Sequence, residues 1–388
     1  MNEALKLALT DEQKLDWLQL IRSRQIGPKI FHMLINKYGG AANAIAALPE
    51  FIAQTNNKKI KLAARDSVLR EWDALHKFGA TIIALGEDNY PETLKFSNNP
   101  PPLLTVRGDV SQLKKPALSI VGTRNCSALG LKLTHKLASD VGAEGFCIVS
   151  GFAKGIDSKA HIAALKTGTI ACLAGGINII YPPENENLYQ EFLTHKGLFV
   201  TEMPFNLTPK AVHFPRRNRI IAGITHATLV IEAAIKSGSL ITATMAGELG
   251  RDVLAVPGSP LDPRAAGPNS LIKDGAIMVR HKDDILEKLA FSKIQPQIAE
   301  IESTQNDLFD APVPIDEPTK SIMKPIADSK NQQTAEQVIL QLLTTSPIDP
   351  DYLLRESKLT TENFHTAIMM LELDDKIEQI YGQGIQLS

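Results

Sequence analysis

The sequence has few cysteines and no long apolar run. Cys126, Cys147 and Cys172 are the only three in 388 residues, and their spacing matches no metal-binding motif. We expect reduced thiols in the protein core. No apolar stretch approaches the roughly 18 residues of a membrane-spanning helix, and the acid-containing start is unlike a secretion signal. These absences predict a cytoplasmic protein without a membrane partner.

Two nucleotide-binding signatures are also missing. The strand PALSIVG, which begins the regular α/β alternation, leads into GTRNCSALG, and this segment lacks the spacing G-x-G-x-x-G. The next strand, FCIVSG, ends in Ser150-Gly151, where a dinucleotide site would have an acid. No G-x-x-x-x-G-K-[ST] sequence occurs. The sequence therefore disfavours both a dinucleotide site and a P-loop ATPase, and we expect no cofactor and no resident metal ion.

Charge is nearly balanced overall but unevenly distributed. The formal net charge is −2, yet residues 1–115 and 116–280 each carry +4, whereas residues 281–388 carry −10. A polyanionic partner would therefore be attracted by the first 280 residues and repelled by the last hundred.

The first 77 residues are predicted to form a small all-α domain. The segments DEQKLDWLQLIRSR and PKIFHMLINKYGG have helical apolar spacing, and Gly27 and Pro28 lie between them. Such a pair is typical of a helix-turn-helix or helix-hairpin-helix unit, which can bind phosphate through backbone N–H groups. A plain helical packing module is equally compatible with the pattern.

Residues 78–290 predict an α/β domain. Two short strands (GATIIALG, PPLLTVRGD) precede a regular alternation in which apolar strands such as PALSIVG, FCIVSG and TIACLAGG are separated by amphipathic helices. Strands without polar alternation are buried on both faces. The pattern therefore indicates a doubly wound, mostly parallel Rossmann-like sheet.

The C-terminal part divides into a linker and a third domain. Residues 291–333 are polar, acidic and proline-containing, and predict a linker. Residues 334–388 predict three short helices and a hairpin, IEQIYGQGIQL, as in a winged-helix domain. An alternative hypothesis is that this last domain is a regulator that binds duplex DNA. The domain is acidic and would repel phosphates, which favours a protein contact instead.

Small residues and cations recur beside the predicted strands. In a doubly wound sheet, ligands bind beyond the carboxyl ends of the strands, and a glycine-rich turn before a helix is an anion site. We expect one anion-binding rim there. Its predicted members are Gly122, Arg124, Ser150, Gly151, Lys154, Gly155, Lys236, Ser237, Gly238 and Arg251.

The segment HFPRRNR concentrates three more cations beside an aromatic ring. Arg216, Arg217 and Arg219 lie within one helical turn after Phe214. Some of these arginines could be structural, paired with Glu202 or Asp157, and the phenylalanine could belong to the core. A ring beside phosphate-binding cations is what single-stranded nucleic acid requires. We therefore predict that this segment binds a single strand.

Catalytic machinery is weakly indicated. Asp157 and His161 have the spacing of two ligands on one helix face, but no third metal ligand is suitably placed, so structural roles are favoured. Glu232 is the best candidate for a general base, although no positioned nucleophile accompanies it. A nucleotide or nucleoside-phosphate hydrolase is thus the alternative to a non-enzymatic binding protein.

The ordered motifs resemble the DNA-processing protein A family (DprA, also called Smf), three-domain type. They are SIVGTRNCSALG, VSGFAKGIDSKAH, GGINIIYPPENENLY, TEMPF, FPRRNRIIAGI and VIEAAIKSGSLITATMAGELGRDVLAVPG. The resemblance implies a single-stranded DNA-binding homodimer that loads RecA recombinase onto incoming strands in natural transformation and helps to displace single-strand binding protein. It implies no catalysis. By motif it assigns DNA contacts to Arg124, Phe214, Arg217, Arg219, Lys236 and Arg251.

Overall fold

The computed structural model describes residues 9–55, 59–292, 335–343, 348–360, 364, 367–368, 371, 376–380 and 384–387. The chain divides into two compact units. The first comprises Met1–Ala46 with Lys61–Gln305, and the second comprises Ala47–Ile60 with Asn306–Ser388. The predicted linker, 291–333, lies almost wholly outside the described residues.

A mixed sheet forms the centre of the first unit. Its strands in the described ranges are β1 (Thr81–Ala84), β2 (Leu103–Gly108), β3 (Ala117–Val121), β4 (Cys147–Ser150), β5 (Thr169–Cys172), β6 (Gly197–Thr201), β7 (Ala227–Val230), β8 (Asp252–Ala255) and β9 (Ile277–Met278). Their spatial order is β1-β2-β6-β5-β4-β3-β7-β8-β9. The pairs from β6 through β9 are parallel, whereas β2 is antiparallel to both β1 and β6. The expected doubly wound, mostly parallel sheet is confirmed.

Helices cover both faces of this sheet. They are α5 (Glu92–Lys95), α6 (Ala128–Ala143), α7 (Ile156–Ala164), α8 (Glu186–Thr194), α9 (His213–Ile224), α10 (Gly238–Glu248), α11 (Ala266–Lys273) and α12 (Lys282–Ser292). Leu137 of α6 and Ile285 of α12 share one apolar core with strands β3, β4 and β7. Ile220 of α9 and Ala243 of α10 belong to a second core with β2 to β6. The strands β3 to β7 are fully buried because helices flank them on both sides.

The direction of winding reverses at β3. The chain runs from β3 outward to β6, then returns to place β7 on the other side of β3. The turns after β3 and β7 therefore diverge, leaving a crevice between the carboxyl ends of these two strands. We call this crevice the switch-point cleft. The edge of the sheet where the parallel strands end is called the carboxyl edge, and the edge where they begin is called the amino edge.

Four helices precede the sheet: α1 (Asp11–Ile21), α2 (Pro28–Tyr38), α3 (Ala41–Thr55) and α4 (Arg65–Lys77). Helix α2 begins at Pro28 as predicted and ends at Gly39, whose φ of 73° closes the helix in the left-handed conformation. Leu18 of α1 and Leu75 of α4 share an apolar core with β1, β2 and α8. Helices α1 and α4 of the expected small helical domain thus pack against the antiparallel end of the sheet.

The second unit includes a small C-terminal domain. Its described elements are α13 (Ala335–Leu342), α14 (Pro350–Ser357) and the antiparallel strands β10 (Ile377–Ile380) and β11 (Gly384–Leu387). Ile339, Leu353, Phe364 and Leu371 form its core. The domain has the predicted winged-helix character, although part of the third predicted helix lies outside the described residues.

Candidate functional site

Helix α9 carries the HFPRRNR segment along the switch-point cleft. Its inner face is buried from Arg217 to Ile224, whereas Arg216 is exposed. The apolar part of the helix packs on the sheet, which fixes the direction of the preceding turn. Phe214 and Arg217 consequently line the same cavity at the carboxyl edge.

Arg217 forms the inner wall of the cleft. Only 6% of this residue is exposed. Its guanidinium lies against the backbone of Gly151, where an added Cβ would lie 1.3 Å from Nη1, so only glycine fits. The nearby carboxylate of Asp157 accepts hydrogen bonds from the N–H groups of Gly151 (3.1 Å) and Ala153 (3.3 Å). The turn after β4 is thereby built around a buried cation and a buried acid.

The two buried charges offset the effect of burial on each other only in part. Burial raises the pKa of Asp157, and the positive charge of Arg217 opposes that shift. Burial likewise lowers the pKa of Arg217, which the charge of Asp157 opposes. An ionised group that is isolated in a protein interior is strongly unfavourable, so each residue depends on the other.

Phe214 lies between two guanidinium groups. The Cζ atom of Arg124 is 5.5 Å from its ring centroid, and that of Arg217 is 5.8 Å away. Both distances are within the range of cation–π interactions. Arg124 itself is exposed and has no ion-pair partner among the residues that the structure describes. An aromatic face and a solvent-accessible cation are therefore held side by side.

Two adjoining cavities extend from this ring along the carboxyl edge. Cavity 1, of about 360 Å³, lies in the cleft and is lined by residues that include Gly122, Arg124, Phe214, Arg217, Ser237 and Gly238. Cavity 2, of about 390 Å³, is lined by Arg124, Gly151, Ala153, Lys154, Tyr181, Pro182, Pro183, Glu184 and Phe214. Arg124, Ala153 and Phe214 are common to both. The two cavities thus adjoin as one groove that passes the half-buried ring of Phe214.

The first turn of α10 faces cavity 1. The hydroxyl of Ser237 caps this helix by accepting from the N–H of Ser239 (3.4 Å), and Gly238 is exposed. Lys236 precedes the cap, is exposed, and has no ion-pair partner within the described ranges. Free N–H groups at a helix start, next to a cation, favour a phosphate.

The turn between β4 and α7 lines both cavities. Gly155 has a φ of +81°, and an added Cβ would lie 2.6 Å from the carbonyl oxygen of Thr123, so this turn packs closely on the one after β3. Lys154 is exposed and forms an ion pair with Glu184, and the hydrogen bond from Lys154 lowers the pKa of this acid. Lys154 is therefore not a free cation.

Three residues that the sequence assigned to DNA binding, Ser150 and Arg251 of the rim and Arg219 of HFPRRNR, occupy other places. Ser150 is buried within β4 and donates its hydroxyl to the carbonyl oxygen of Ile120 (2.6 Å). Arg219 turns away from both cavities, because its guanidinium pairs with Glu202 and donates to the carbonyl oxygen of Asn99. The alternative that some of these arginines pair with Glu202 or Asp157 thus describes Arg219, whereas Arg217 and Asp157 influence each other's pKa without a direct ion pair in the described structure.

Arg251 is the third misplaced residue. It precedes β8, which runs parallel to β7, so it lies at the amino edge and not on the rim. There its guanidinium donates to the carbonyl oxygen of Thr93 in α5 (3.1 Å). The hydroxyl of Thr93 in turn donates to the carbonyl oxygen of Ile224, the last residue of α9. The predicted rim contained four cations, Arg124, Lys154, Lys236 and Arg251, and the prediction was wrong for Arg251. In a parallel sheet, residues that precede a strand lie at the amino edge, whereas residues that follow a strand lie at the carboxyl edge.

The residues proposed for catalysis have structural partners. Both carboxylate oxygens of Glu232 bind Ser127, one accepting from the N–H (2.9 Å) and the other from the hydroxyl, which fixes the start of α6. His161 is fully buried and its Nδ1 bonds the hydroxyl of Thr169 (2.7 Å). Across the described residues, no group of three or more His, Cys, Asp or Glu side chains is placed to hold a metal ion.

Several lining residues were not singled out from the sequence. Thr123, Asn125 and Asn218 line cavity 1, and Tyr181 with Pro182 lines cavity 2. The first two, Thr123 and Asn125, follow a strand that was predicted from the sequence, so their position at the carboxyl edge could have been inferred. The position of Tyr181 could not have been inferred, because this residue lies nine residues beyond the end of β5.

The architecture defines a class before any comparison. A doubly wound sheet whose switch-point cleft holds an aromatic ring beside cations defines a Rossmann-like protein with a cation-lined groove at its carboxyl edge. In the part of the chain that the structure describes, no helix has the length and apolarity to cross a membrane.

The chain belongs to the family of DNA recombination-mediator protein A, whose model matches residues 81–290. A DprA-like N-terminal HHH domain matches 11–74, and a DprA winged helix domain matches 324–383.

Individual relatives agree with this assignment. The chain is 41% identical over 225 residues to DNA processing protein DprA of Bacillus subtilis, covering 57% of this chain and 75% of the relative. A solved structure of DprA from Streptococcus pneumoniae aligns with a TM-score of 0.52 and 33% identity, covering 68% of this chain and 98% of that one. DprA from Helicobacter pylori, whose structure is described for its single-stranded DNA binding mode, aligns at 0.50 and 26%, covering 55% and 96%.

Proposed function

We propose that the chain is a single-stranded DNA-binding recombination mediator without catalytic activity of its own. The observation that carries the proposal is the half-buried ring of Phe214, which lines both cavities beside the guanidinium groups of Arg124 and Arg217. Support also comes from membership of the recombination-mediator family and from the single-stranded DNA binding described for the Helicobacter pylori relative.

The groove matches the chemistry of an unpaired strand. Lys236 and the first turn of α10 offer a positive charge and N–H groups to one phosphate, and Arg124 offers a guanidinium to another. Between them, Phe214 provides a face on which any base can stack, which is worth about 1–3 kcal/mol per base. In duplex DNA the bases are stacked on each other inside the helix, so this ring would have no base to bind.

Oligo-dT binding by fluorescence anisotropy at two salt concentrations tests the proposal. We expect binding that weakens steeply with salt and exceeds binding to a duplex of equal length. Phe214→Ala should weaken oligo-dT binding by roughly 5- to 150-fold. Phe96→Ala removes an equally large ring that is 72% exposed elsewhere and serves as the control. Equal affinity of wild type, Phe214→Ala and Phe96→Ala would refute the assignment of the groove.

We further propose that the bound strand is delivered to RecA recombinase during natural transformation, in the cytoplasm, by a homodimer of this chain. The assay is RecA filament formation on a strand precoated with single-strand binding protein, with and without the chain. We expect faster filament growth with the wild type and no acceleration by Phe214→Ala. Light scattering of the purified protein should give twice the chain mass of 42.3 kDa. A monomer in light scattering would reject the homodimer. Unchanged kinetics of RecA filament growth would reject delivery of the strand to RecA.

A further inference from the structure

Cavity 2 holds a second aromatic ring that the proposed function does not use. Tyr181 is 42% exposed, and its ring centroid lies 5.9 Å from that of Phe214, with the two planes inclined by 60°. Large aromatic side chains normally bury most of their area, since each carries a large apolar surface. A half-exposed tyrosine that lines a cavity beside a second ring is therefore available to a ligand.

The walls of cavity 2 are suited to a flat, apolar-faced group. Tyr181, Pro182, Pro183 and Phe214 contribute rings, and Ala153 contributes a small side chain. The volume of about 390 Å³ lies in the range of small-ligand sites. A phosphate would find one unpaired cation, Arg124 at the border with cavity 1, whereas a nucleobase would find several faces to stack on and polar groups at the mouth.

Those polar groups are Lys154 and Glu184. They form an ion pair in which both side chains are at least half exposed. In this pair the ammonium group can donate, and the carboxylate oxygens can accept, which complements the mixed donor and acceptor edge of a base. The two charges neutralise each other, so the mouth of cavity 2 offers a phosphate no net attraction and favours a base over the backbone.

The position of cavity 2 continues the path of the strand. Cavity 1 lies between the turns after β3 and β7, and cavity 2 lies beside the turn after β4, towards the segment that follows β5. A strand whose phosphates contact Arg124 and the first turn of α10 in cavity 1 therefore reaches cavity 2 next along the same edge.

We propose that cavity 2 is a nucleobase subsite, in which Tyr181 forms a second stacking surface beside Phe214 for the next base of the bound strand. The inference rests on the proposed function, because it takes single-stranded DNA to be the ligand of the groove.

The test separates the base from the backbone. Wild type, Tyr181→Ala and Tyr181→Phe are titrated with oligo-dT and with an abasic strand that has the same number of phosphates. Tyr181→Ala should bind oligo-dT at least about fivefold more weakly, because a stacking surface is lost. It should bind the abasic strand as the wild type does, with an unchanged salt slope, because no phosphate contact is removed. Tyr181→Phe keeps the ring and should bind both strands normally.

The possible failures are distinguishable. No binding of oligo-dT by the wild type rejects the proposed function itself. Normal oligo-dT binding by Tyr181→Ala, with wild-type binding intact, rejects the subsite alone. An equal loss on both strands also rejects it, since the residue would then act on the shape of the groove and not on a base. Thermal unfolding of each variant shows whether a loss reflects damage to the fold, and Phe96→Ala is the matched ring control.

Discussion

The switch-point cleft has an inner and an outer layer that differ in how their charges are balanced. The inner layer, Asp157, His161 and Arg217, is buried and its members influence one another. The outer layer, Arg124, Phe214 and Lys236, is exposed or half-exposed, and its two cations have no ion-pair partner in the described ranges. Buried charges that are already compensated shape a site, whereas uncompensated exposed charges are free to bind. The inner layer should therefore control stability and the outer layer DNA affinity.

The largest expected effect is on the inner layer. Replacing Arg217 by methionine fills a similar volume but leaves the carboxylate of Asp157 buried without its cation. Removing one partner of a buried charge pair typically costs about 3–5 kcal/mol. We expect the free energy of unfolding, measured in urea, to fall by about 3 kcal/mol.

Arg216→Met is the matched control for this variant. It lies next in the same helix but is exposed, so its effect on unfolding should stay within about 0.5 kcal/mol. If the two variants unfolded at the same urea concentration, the inner guanidinium would not be balancing a buried acid.

The outer layer should respond in the opposite way. Arg124→Ala removes a cation that contacts Phe214 but no ion pair in the described structure. Losing a charged contact to phosphate costs about 1.5–3 kcal/mol, so we expect roughly 10- to 150-fold weaker oligo-dT binding with unfolding unchanged. The salt dependence should also decrease by about one counterion. Lys95→Ala, an equal change in net charge at an exposed lysine of α5, should leave affinity unaltered.

Stability below neutral pH should report on His161. Burial, reinforced by the charge of Arg217, lowers its pKa from 6.5 to about 3. The folded state therefore keeps the ring neutral while the unfolded chain takes up a proton as the pH falls below 6.5. Stability is complete above this pH and declines towards pH 3, by about 1.4 kcal/mol per unit for one proton.

Urea unfolding between pH 7 and pH 4 measures this slope. In His161→Gln the titrating ring is absent, and the decline should be shallower by that amount. His195→Gln removes an exposed histidine and should retain the wild-type slope. Identical slopes for His161→Gln and wild type would mean that the buried ring is protonated as easily as a free one.

The sheet and its winding direction followed from the sequence, because strands such as β3 and β4 are apolar on both faces and alternate with helices. The place of the hairpin formed by β1 and β2 did not follow. It is fixed by pairing of β2 with β6, whose partners Thr105 and Thr201 are far apart in the sequence. Local patterns carry no information about such a pairing.

Prediction of the site was limited in the same way. Glycine turns after strands identified Gly122, Gly151 and Gly238 at the carboxyl edge. Within HFPRRNR, however, burial of Arg217 and the turning of Arg219 towards Glu202 depend on tertiary partners. Three arginines within one helical turn point in different directions, and the sequence alone does not tell which direction faces solvent.

The smallest expected effect on DNA binding belongs to Arg251, and it tests whether the edge of the sheet matters more than the presence of a cation. This residue is held at the amino edge by its hydrogen bond to the carbonyl of Thr93. Arg251→Ala should change oligo-dT affinity by less than twofold, while unfolding becomes easier by about 1 kcal/mol through the lost hydrogen bond. Lys236→Ala removes the same charge from the carboxyl edge and should weaken binding several-fold with unchanged unfolding. Were Arg251→Ala to reduce affinity as much as Lys236→Ala, the strand would have to reach both edges of the sheet, and a binding groove confined to the cleft would be untenable.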